Sequence, residues 1–425
     1  MEIEELYRLY RGQNQSITTD TRKLDKGSIF FALKGDNFDA NQFAVKAIEA
    51  GCAYAVVDDS SIVHPKCIVV KNVLQTLQNL ATYHRQQFTI PIIAITGTNG
   101  KTTTKELMKE VLATKYKVHF TKGNLNNHIG VPLTLLSMST DTEIAIIEMG
   151  ANHPLEIDFL CNIALPNYGL VTNMGKAHLE GFGGFEGVVK TKSEMYDFHA
   201  QKEGKVFVNA SDELLMKQSS KVKNRIFYQN ENISGEVKLS NPCVVANMKI
   251  HSQEIEVKSN LFGEHNLINM LAAAAVGIEF GVSVGDIKLA LEGYLPENNR
   301  SQIKKTEKGN TLILDAYNAN PTSMAAALRA FAKSEGGNKI ALVGDMLELG
   351  SESLTEHQEI VKLIEILGIE AILVGKEFSR CKTSFKVFLD SSSLKSFLAE
   401  NSWRNKVILI KGSRGIKLEI VQDLL

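Results

Sequence analysis

Short apolar runs alternate with stretches whose apolar positions recur every three or four residues, and this rhythm runs the length of the chain. Over the first 88 or so residues, Ser28 to Leu33, Tyr54 to Val57 and Cys67 to Val70 predict strands, and Asn41 to Glu49 and Val73 to Arg85 predict helices. Pro91 then opens Ile92-Ile93-Ala94-Ile95-Thr96, a run with no polar face, as a strand covered on both sides requires. The βα alternation continues through Ile144 to Met149, Tyr168 to Thr172 and Val206 to Asn209, which predicts a parallel, doubly wound sheet. Between about Arg225 and Leu261 short polar-alternating runs predict further strands. A helix follows with Leu267, Met270, Leu271, Ala274, Ala275 and Ile278 on one face. Leu295-Pro296-Glu297-Asn298-Asn299 reads as a linker, and a last series, Thr311 to Asp315, Ile340 to Val343, Ala371 to Val374 and Val407 to Ile410, predicts a smaller α/β unit. The expected architecture is therefore α/β in three domains: a small N-terminal domain over 1–88, a central parallel-sheet domain over 89–296 and a Rossmann-like domain over 297–425. No internal repeat or low-complexity tract interrupts it.

Composition excludes several classes. A chain of 425 residues has room for about three domains at roughly 150 residues each. With 44% hydrophobic and 22% charged residues it is neither disordered nor a small disulfide scaffold. Lys plus Arg number 47 against 48 Asp plus Glu, so no general basic field exists to collect nucleic acid, and an anionic ligand needs a local site. Cys52, Cys67, Cys161, Cys243 and Cys381 are scattered and never form a CxxC pair, which argues against a disulfide framework and a thiolate zinc site. The opening MEIEELYRLYRGQ lacks the apolar core of a signal peptide, and no apolar run approaches the roughly 18 residues of a membrane span. A monomeric cytoplasmic protein is expected.

The sharpest chemical signal is Gly97-Thr98-Asn99-Gly100-Lys101-Thr102-Thr103, between the buried run and a helical pattern. Glycines let backbone N–H groups approach phosphate oxygens, Lys101 brings a point charge to the terminal phosphates, and the Thr102 hydroxyl suits Mg²⁺. The general form G-x-x-x-x-G-K-[ST] would place its first glycine at Ile95; here it stands two positions later, at Gly97. The bland alternative is an ordinary βα turn. Glu148 ends the run EIAIIEMG, at the carboxyl edge of a predicted parallel strand, where open α/β sheets bind ligands; it is a candidate Mg²⁺ ligand or a solvent-facing strand end.

The shortened loop resembles that of the Mur ligases, ATP-dependent enzymes that build the peptide of the cell-wall precursor, with folylpolyglutamate synthases as relatives. DTRKLDKGSIFFALKGDNFDA from Asp20, GNLNNHIGVPLTLL from Gly123, EMGANHPLEI from Glu148 and KAHLEGFGG from Lys176 extend the resemblance, as do DAYNANPTSM from Asp315, VGDMLELG from Val343 and KGSRGIKLE from Lys411. These segments cover the chain in order and resemble the branch that adds D-alanyl-D-alanine to UDP-MurNAc-tripeptide.

The resemblance implies roles for individual residues. His178 and Lys192 would hold a second Mg²⁺, Lys192 after carbamylation by CO₂. Asp20, Thr21 and Arg22, with the loop Lys34-Gly35-Asp36-Asn37-Phe38, would hold the UDP sugar, Arg22 being suited to a diphosphate. Asn124, Asn126 and Asn127 precede Pro132, taken as the start of a helix, and their loop would hold the lactyl group or peptide. His265, Asn266 and Asn269 match an adenine contact, with helix capping by Asn266 the plain alternative. Arg300, Asp315, Asn318 and Asn320 would face the nucleotide, and Asp345 is a candidate for the dipeptide ammonium. The implied chemistry is phosphorylation of a carboxylate followed by amide formation. A phosphate-loop switch and a folate polyglutamylating ligase are the competing readings.

Overall fold

The computed structural model describes residues 1–425 apart from 14, 15, 23, 36 and 298, so Lys23, Asp36 and Asn298 of the segments above lie outside the described residues. Ile17–Thr18, Ile29–Phe31, Tyr54–Val57 and Cys67–Val69 form a parallel four-stranded sheet in that spatial order. The central sheet is parallel throughout and runs Asn224–Tyr228, Lys205–Asn209, Tyr168–Val171, Ile92–Thr96, Ile144–Glu148, Val118–Phe120. All five residues of Ile92–Thr96 and of Ile144–Glu148 are buried, because helices cover both faces. The last sheet runs Gln302–Lys305, Thr311–Asp315, Val407–Lys411, Lys339–Gly344, Glu370–Val374, Lys386–Phe388, with only Gln302–Lys305 antiparallel. The α/β class with parallel sheets is thus as the residue pattern implied.

The structure adds four details to the sequence reading. Ile3–Gly12 is a helix whose Leu6 and Tyr10 are buried, a stripe too short to stand out among charged neighbours. Val118–Phe120, Gln302–Lys305 and Lys386–Phe388 are edge strands, half-buried or exposed, and so carry no continuous apolar run. Residues 233–262 make an antiparallel three-stranded sheet packed on the helix Asn266–Glu279. Pro132 is the third residue of the helix Gly130–Leu136 rather than the first; it fits there because first-turn N–H groups have no partner within the helix.

The N-terminal unit is keyed firmly to the centre. Tyr10 Oη donates to the Leu136 carbonyl at 2.5 Å, His84 Nε2 lies 3.1 Å from the Met138 carbonyl, and Gln78 Nε2 donates to His128 O at 3.0 Å. Among the described residues no helix is long and apolar enough to cross a membrane.

Two buried histidines give the fold an acid limit. Burial pushes both His84 and His199 down to about 4 from 6.5, and neither His199 ring nitrogen has a hydrogen-bond partner. Between these values the unfolded chain binds protons that the folded chain does not. Stability is therefore complete above pH 6.5 and falls as pH drops towards 4, by about 1.4 kcal/mol per pH unit for each histidine. Urea titrations of the whole chain at pH 7.5, 5.5 and 4.5 should show this decline; a stability that stays level across them would contradict it.

Candidate active site

The strand Ile92–Thr96 passes into the helix Lys101–Ala113 through only four residues. The sharp turn depends on Gly97 at φ 139° and Gly100 at φ 80°. A Cβ at Gly97 would lie 2.0 Å from Thr172 Oγ1, and one at Gly100 would lie 2.7 Å from Asn269 Oδ1. The loop is pinned from the neighbouring strand end: Thr98 N donates to Asn173 O at 3.0 Å, Asn99 N to Asn173 Oδ1 at 3.0 Å, and Thr172 Oγ1 to Asn99 O at 2.6 Å. Thr98 Oγ1 also exchanges hydrogen bonds with the Gly175 backbone. Lys101 Nζ folds over the turn to Gly97 O at 2.7 Å and Thr98 O at 3.2 Å; its burial there pulls the ammonium pKa down, Glu148 opposing and Arg300 adding to the effect. Thr103 is buried.

Glu148 stands beside this turn. Its Oε1 accepts from Thr102 Oγ1 at 3.2 Å and from Asn126 Nδ2 at 2.8 Å, while Oε2 is buried with no hydrogen bond, 3.6 Å from Lys105 Nζ. The structure thus joins Thr102, Glu148 and Asn126, three residues predicted from separate segments. Lys105 was not singled out from the sequence, although its place four residues after Lys101 puts it one helical turn along the same face.

His178 and Lys192 reach the same aromatic ring: the imidazole centroid is 6.3 Å and Lys192 Nζ 5.5 Å from that of Phe182. Lys192 is 2% exposed, and its ammonium makes no hydrogen bond among the described residues. Burial, reinforced by the Lys101 charge, pushes it down to about 7. His178 Nδ1 is hydrogen-bonded to Glu348 Oε2 of the C-terminal unit, a contact that holds the Glu348 carboxyl below its ordinary range. Both residues have left-handed backbones, φ 50° and 65°, a conformation that costs non-glycine residues about 1–2 kcal/mol and clusters at functional sites. Glu348 lies inside VGDMLELG, so only its role was missed.

The C-terminal unit closes over the loop. Asn99 and Asn320 exchange side-chain amide hydrogen bonds at 2.7 and 3.4 Å, and Asn320 also caps the helix Pro321–Lys333 through Ser323. Lys176 Nζ pairs with Glu356 Oε1 at 2.6 Å and Lys333 Nζ with Glu264 Oε1 at 2.9 Å across the same junction. Arg300 stacks on Tyr317 at 3.6 Å. Asp315 is engaged by the buried Lys411 at 2.6 Å, and exposed Asn318 bonds the Ala319 amide. Asn266 and Asn269 are buried beneath the loop: Asn269 Oδ1 accepts from Thr104 Oγ1 at 3.1 Å, Asn269 Nδ2 donates to Asn266 Oδ1, and Asn266 Nδ2 donates to Phe262 O. Asn266 does not cap its helix by its side chain, and His265 precedes that helix with an exposed ring.

In the N-terminal unit, exposed Arg22 is held bidentate by Asp20 at 2.9 and 2.8 Å, Thr21 lies between them in sequence, and Lys34 pairs with Asp58 at 3.0 Å. Asn127 Oδ1 accepts from the Ile129 and Gly130 amides as their helix begins, and Asn124 is exposed nearby. Asp345 does not offer a free carboxylate for an ammonium group. It is 2% exposed and accepts from Glu377 N and Phe378 N, both at 2.9 Å, so it fastens the turn after Glu370–Val374.

The chain matches the Mur ligase middle domain over residues 95–277 and the Mur ligase glutamate ligase domain over residues 299–414. It belongs to the Mur ligase family. This Mur ligase is 36% identical to UDP-N-acetylmuramoyl-tripeptide--D-alanyl-D-alanine ligase of Bacillus subtilis, over 96% of this chain and 93% of that one. It is 37% identical to the ligase of the same name from Haemophilus influenzae, with the same coverage of each. In three dimensions it is similar to MurF from Acinetobacter baumannii, with a TM-score of 0.87, 30% identity and 98% and 97% of the two chains covered. It is also similar to the MurF ligase of Thermotoga maritima solved in complex with ADP, with a TM-score of 0.86, 26% identity and 96% of each chain covered.

Substituting Gly97→Ala should lower ATP affinity at least about tenfold, since a Cβ forces the turn off Thr172 and a positive φ resists a side chain. Calorimetric titration against the parent protein measures this, and equal affinities would mean that the turn is not the phosphate cradle.

Proposed function

We propose that this Mur ligase joins D-alanyl-D-alanine to UDP-MurNAc-tripeptide at the expense of ATP, giving UDP-MurNAc-pentapeptide, ADP and phosphate. The Asn99–Asn320 amide pair carries the reading, because it makes one site from the phosphate loop and the C-terminal unit. A nucleotide switch needs the loop alone. A ligase that passes through an acyl phosphate needs a roof that excludes water. The names and near-complete coverage of the relatives support the same reaction over folate polyglutamylation.

In the reaction, the tripeptide carboxylate oxygen bonds to the γ-phosphorus as the bond to ADP breaks. The dipeptide amine then attacks the acyl carbon, the resulting tetrahedral centre expels phosphate, and the amine loses its proton as the amide forms. Loop amides from Gly97 to Thr103 hold the phosphates, and Lys101 meets the charge developing on them. His265, Asn266, Asn269, Arg300, Asp315, Asn318 and Asn320 frame the nucleotide side, some by contact and some, like the buried asparagines, by holding the loop. Asp20, Thr21, Arg22, Asn124, Asn126 and Asn127 frame the UDP-sugar and peptide side.

Thr102 and Glu148 fit a first Mg²⁺, since the Thr102 hydroxyl and Glu148 Oε1 meet at 3.2 Å beside the loop and both are hard oxygen donors. Bound there, Mg²⁺ would neutralise charge developing on the nucleotide phosphates. His178 and Lys192 fit a second ion only if Lys192 gains an oxygen: among the described residues no three His, Cys, Asp or Glu side chains gather to hold a metal. A carbamate would provide it, formed when neutral Nζ attacks CO₂ and releases a proton, and a lysine held at about 7 has a substantial neutral fraction near neutral pH.

The division at 88/89 and 296/297, a monomeric state and a cytoplasmic location belong to the same proposal. The division is supported by linker-like residues between sheets and the location by five free cysteines.

ADP release with MgATP should require UDP-MurNAc-tripeptide and D-alanyl-D-alanine together, with the pentapeptide seen by mass spectrometry; release indifferent to both would return the loop to a switch. Lys101→Ala should cut ligation by at least about 10²–10³-fold while the melting temperature stays close to the parent's. Retention of activity within a few-fold would remove Lys101 from its role. Carbon-13 bicarbonate should give a carbamate resonance that Lys192→Gln lacks, and identical spectra would exclude the modification.

A further inference from the structure

The helix that follows the phosphate loop carries a second lysine whose surroundings are unusual. Lys105 is 0% exposed, yet lysine is almost never fully buried unless paired. Its ammonium donates to Thr121 O at 2.6 Å, pairs with Glu106 Oε1 at 3.0 Å and lies 3.6 Å from Glu148 Oε2. Thr121 is bound from the other side as well, its Oγ1 accepting from the Glu148 backbone N–H at 2.9 Å. Lys105, Thr121 and Glu148 therefore form a closed triangle between the loop helix and two strand ends.

The contacts of Glu148 divide cleanly. Thr102 and Asn126 both bind Oε1, from the phosphate side. Among the described residues, Lys105 is the one cation within ion-pair distance of Oε2. Without it the carboxylate would be held through Oε1 alone, by Thr102 and Asn126, with no partner to fix the second oxygen. We propose that Lys105 is a positioning residue for magnesium: it fixes the Glu148 carboxylate in the orientation that presents it to a cation on the nucleotide phosphates. This rests on the reading of Glu148 as a magnesium ligand.

A purely structural ion pair is the alternative, and burying an ammonium where an apolar side chain would serve is a poor way to gain stability. The two readings separate in the metal dependence of nucleotide binding. A structural role predicts a lower melting temperature and an unchanged magnesium response. A positioning role predicts that metal-free affinity stays as it was while the magnesium response shifts, as with other groups that orient metal ligands.

The experiment is calorimetric titration of the whole protein with a non-hydrolysable ATP analogue across a magnesium series. Lys105→Met, of similar length and uncharged, should leave the metal-free affinity unchanged and raise the half-saturating magnesium concentration at least about tenfold. In a Glu148→Gln background the same substitution should produce no further shift. Should the methionine variant melt below the assay temperature, Lys105→Gln is measured in the same way. An unchanged or lower half-saturation, or a full shift in the Glu148→Gln background, overturns the assignment. A parent protein indifferent to magnesium removes the Glu148 reading, and this one with it.

Discussion

A strand that must become a helix within four residues, its backbone pressed against a neighbouring strand end, is the constraint on which this structure depends. The close approach of Gly97 to Thr172 leaves no room for a side chain, and the hydrogen bonds from Asn173 fix the direction of the loop amides. Once that turn is set, the helix Lys101–Ala113 points its N-terminus and Lys101 at one place, the carboxyl edge of the central sheet. Glu148 ends the strand next to Ile92–Thr96, so the adjacency of carboxylate and loop follows from strand order alone.

The three units are joined by different kinds of contact. The N-terminal unit meets the centre through buried groups, Tyr10, Gln78 and His84 among them, that cannot part without leaving polar atoms unpaired. The C-terminal unit meets it through Lys176–Glu356, Lys333–Glu264, His178–Glu348 and the Asn99–Asn320 amides, most of them solvent-accessible and individually weak. A firm joint on the side of the bulky acceptor and a separable one on the side of the nucleotide suit a site that must admit and release ATP.

Buried lysines mark where charge is handled. Lys105 and Lys411 are satisfied by carbonyls and carboxylates, and each orders an acidic residue, Glu148 and Asp315. Lys192 is buried with no hydrogen bond or ion pair among the described residues, and that burial, with the Lys101 charge, sets its pKa at about 7. Similar burial makes two lysines fixed counter-ions and leaves the third without one, the difference being the acceptors within reach.

Much of this was legible in the chain itself. The apolar run at Ile92, the glycine turn and Lys101 announced a phosphate loop, because a buried parallel strand and a close-approach turn each demand particular residue types in sequence. The segments resembling Mur ligases carried the reaction class. The edge strands and the helix Ile3–Gly12 were not legible, since their stability comes from neighbours rather than from a local apolar pattern. The residue-level site divided along the same line. Sequence named Glu148, Asn126 and Asn99, but only the folded chain bonded Asn126 to Glu148, set Lys105 beside that carboxylate and paired Asn99 with Asn320, and only it withdrew Asp345 by binding that carboxylate to two backbone amides. Where a local apolar pattern is strong, backbone conformation follows from neighbours in sequence. Hydrogen-bond partners and shifted ionisation depend on groups up to 221 positions away, and on how much water the packing leaves between them.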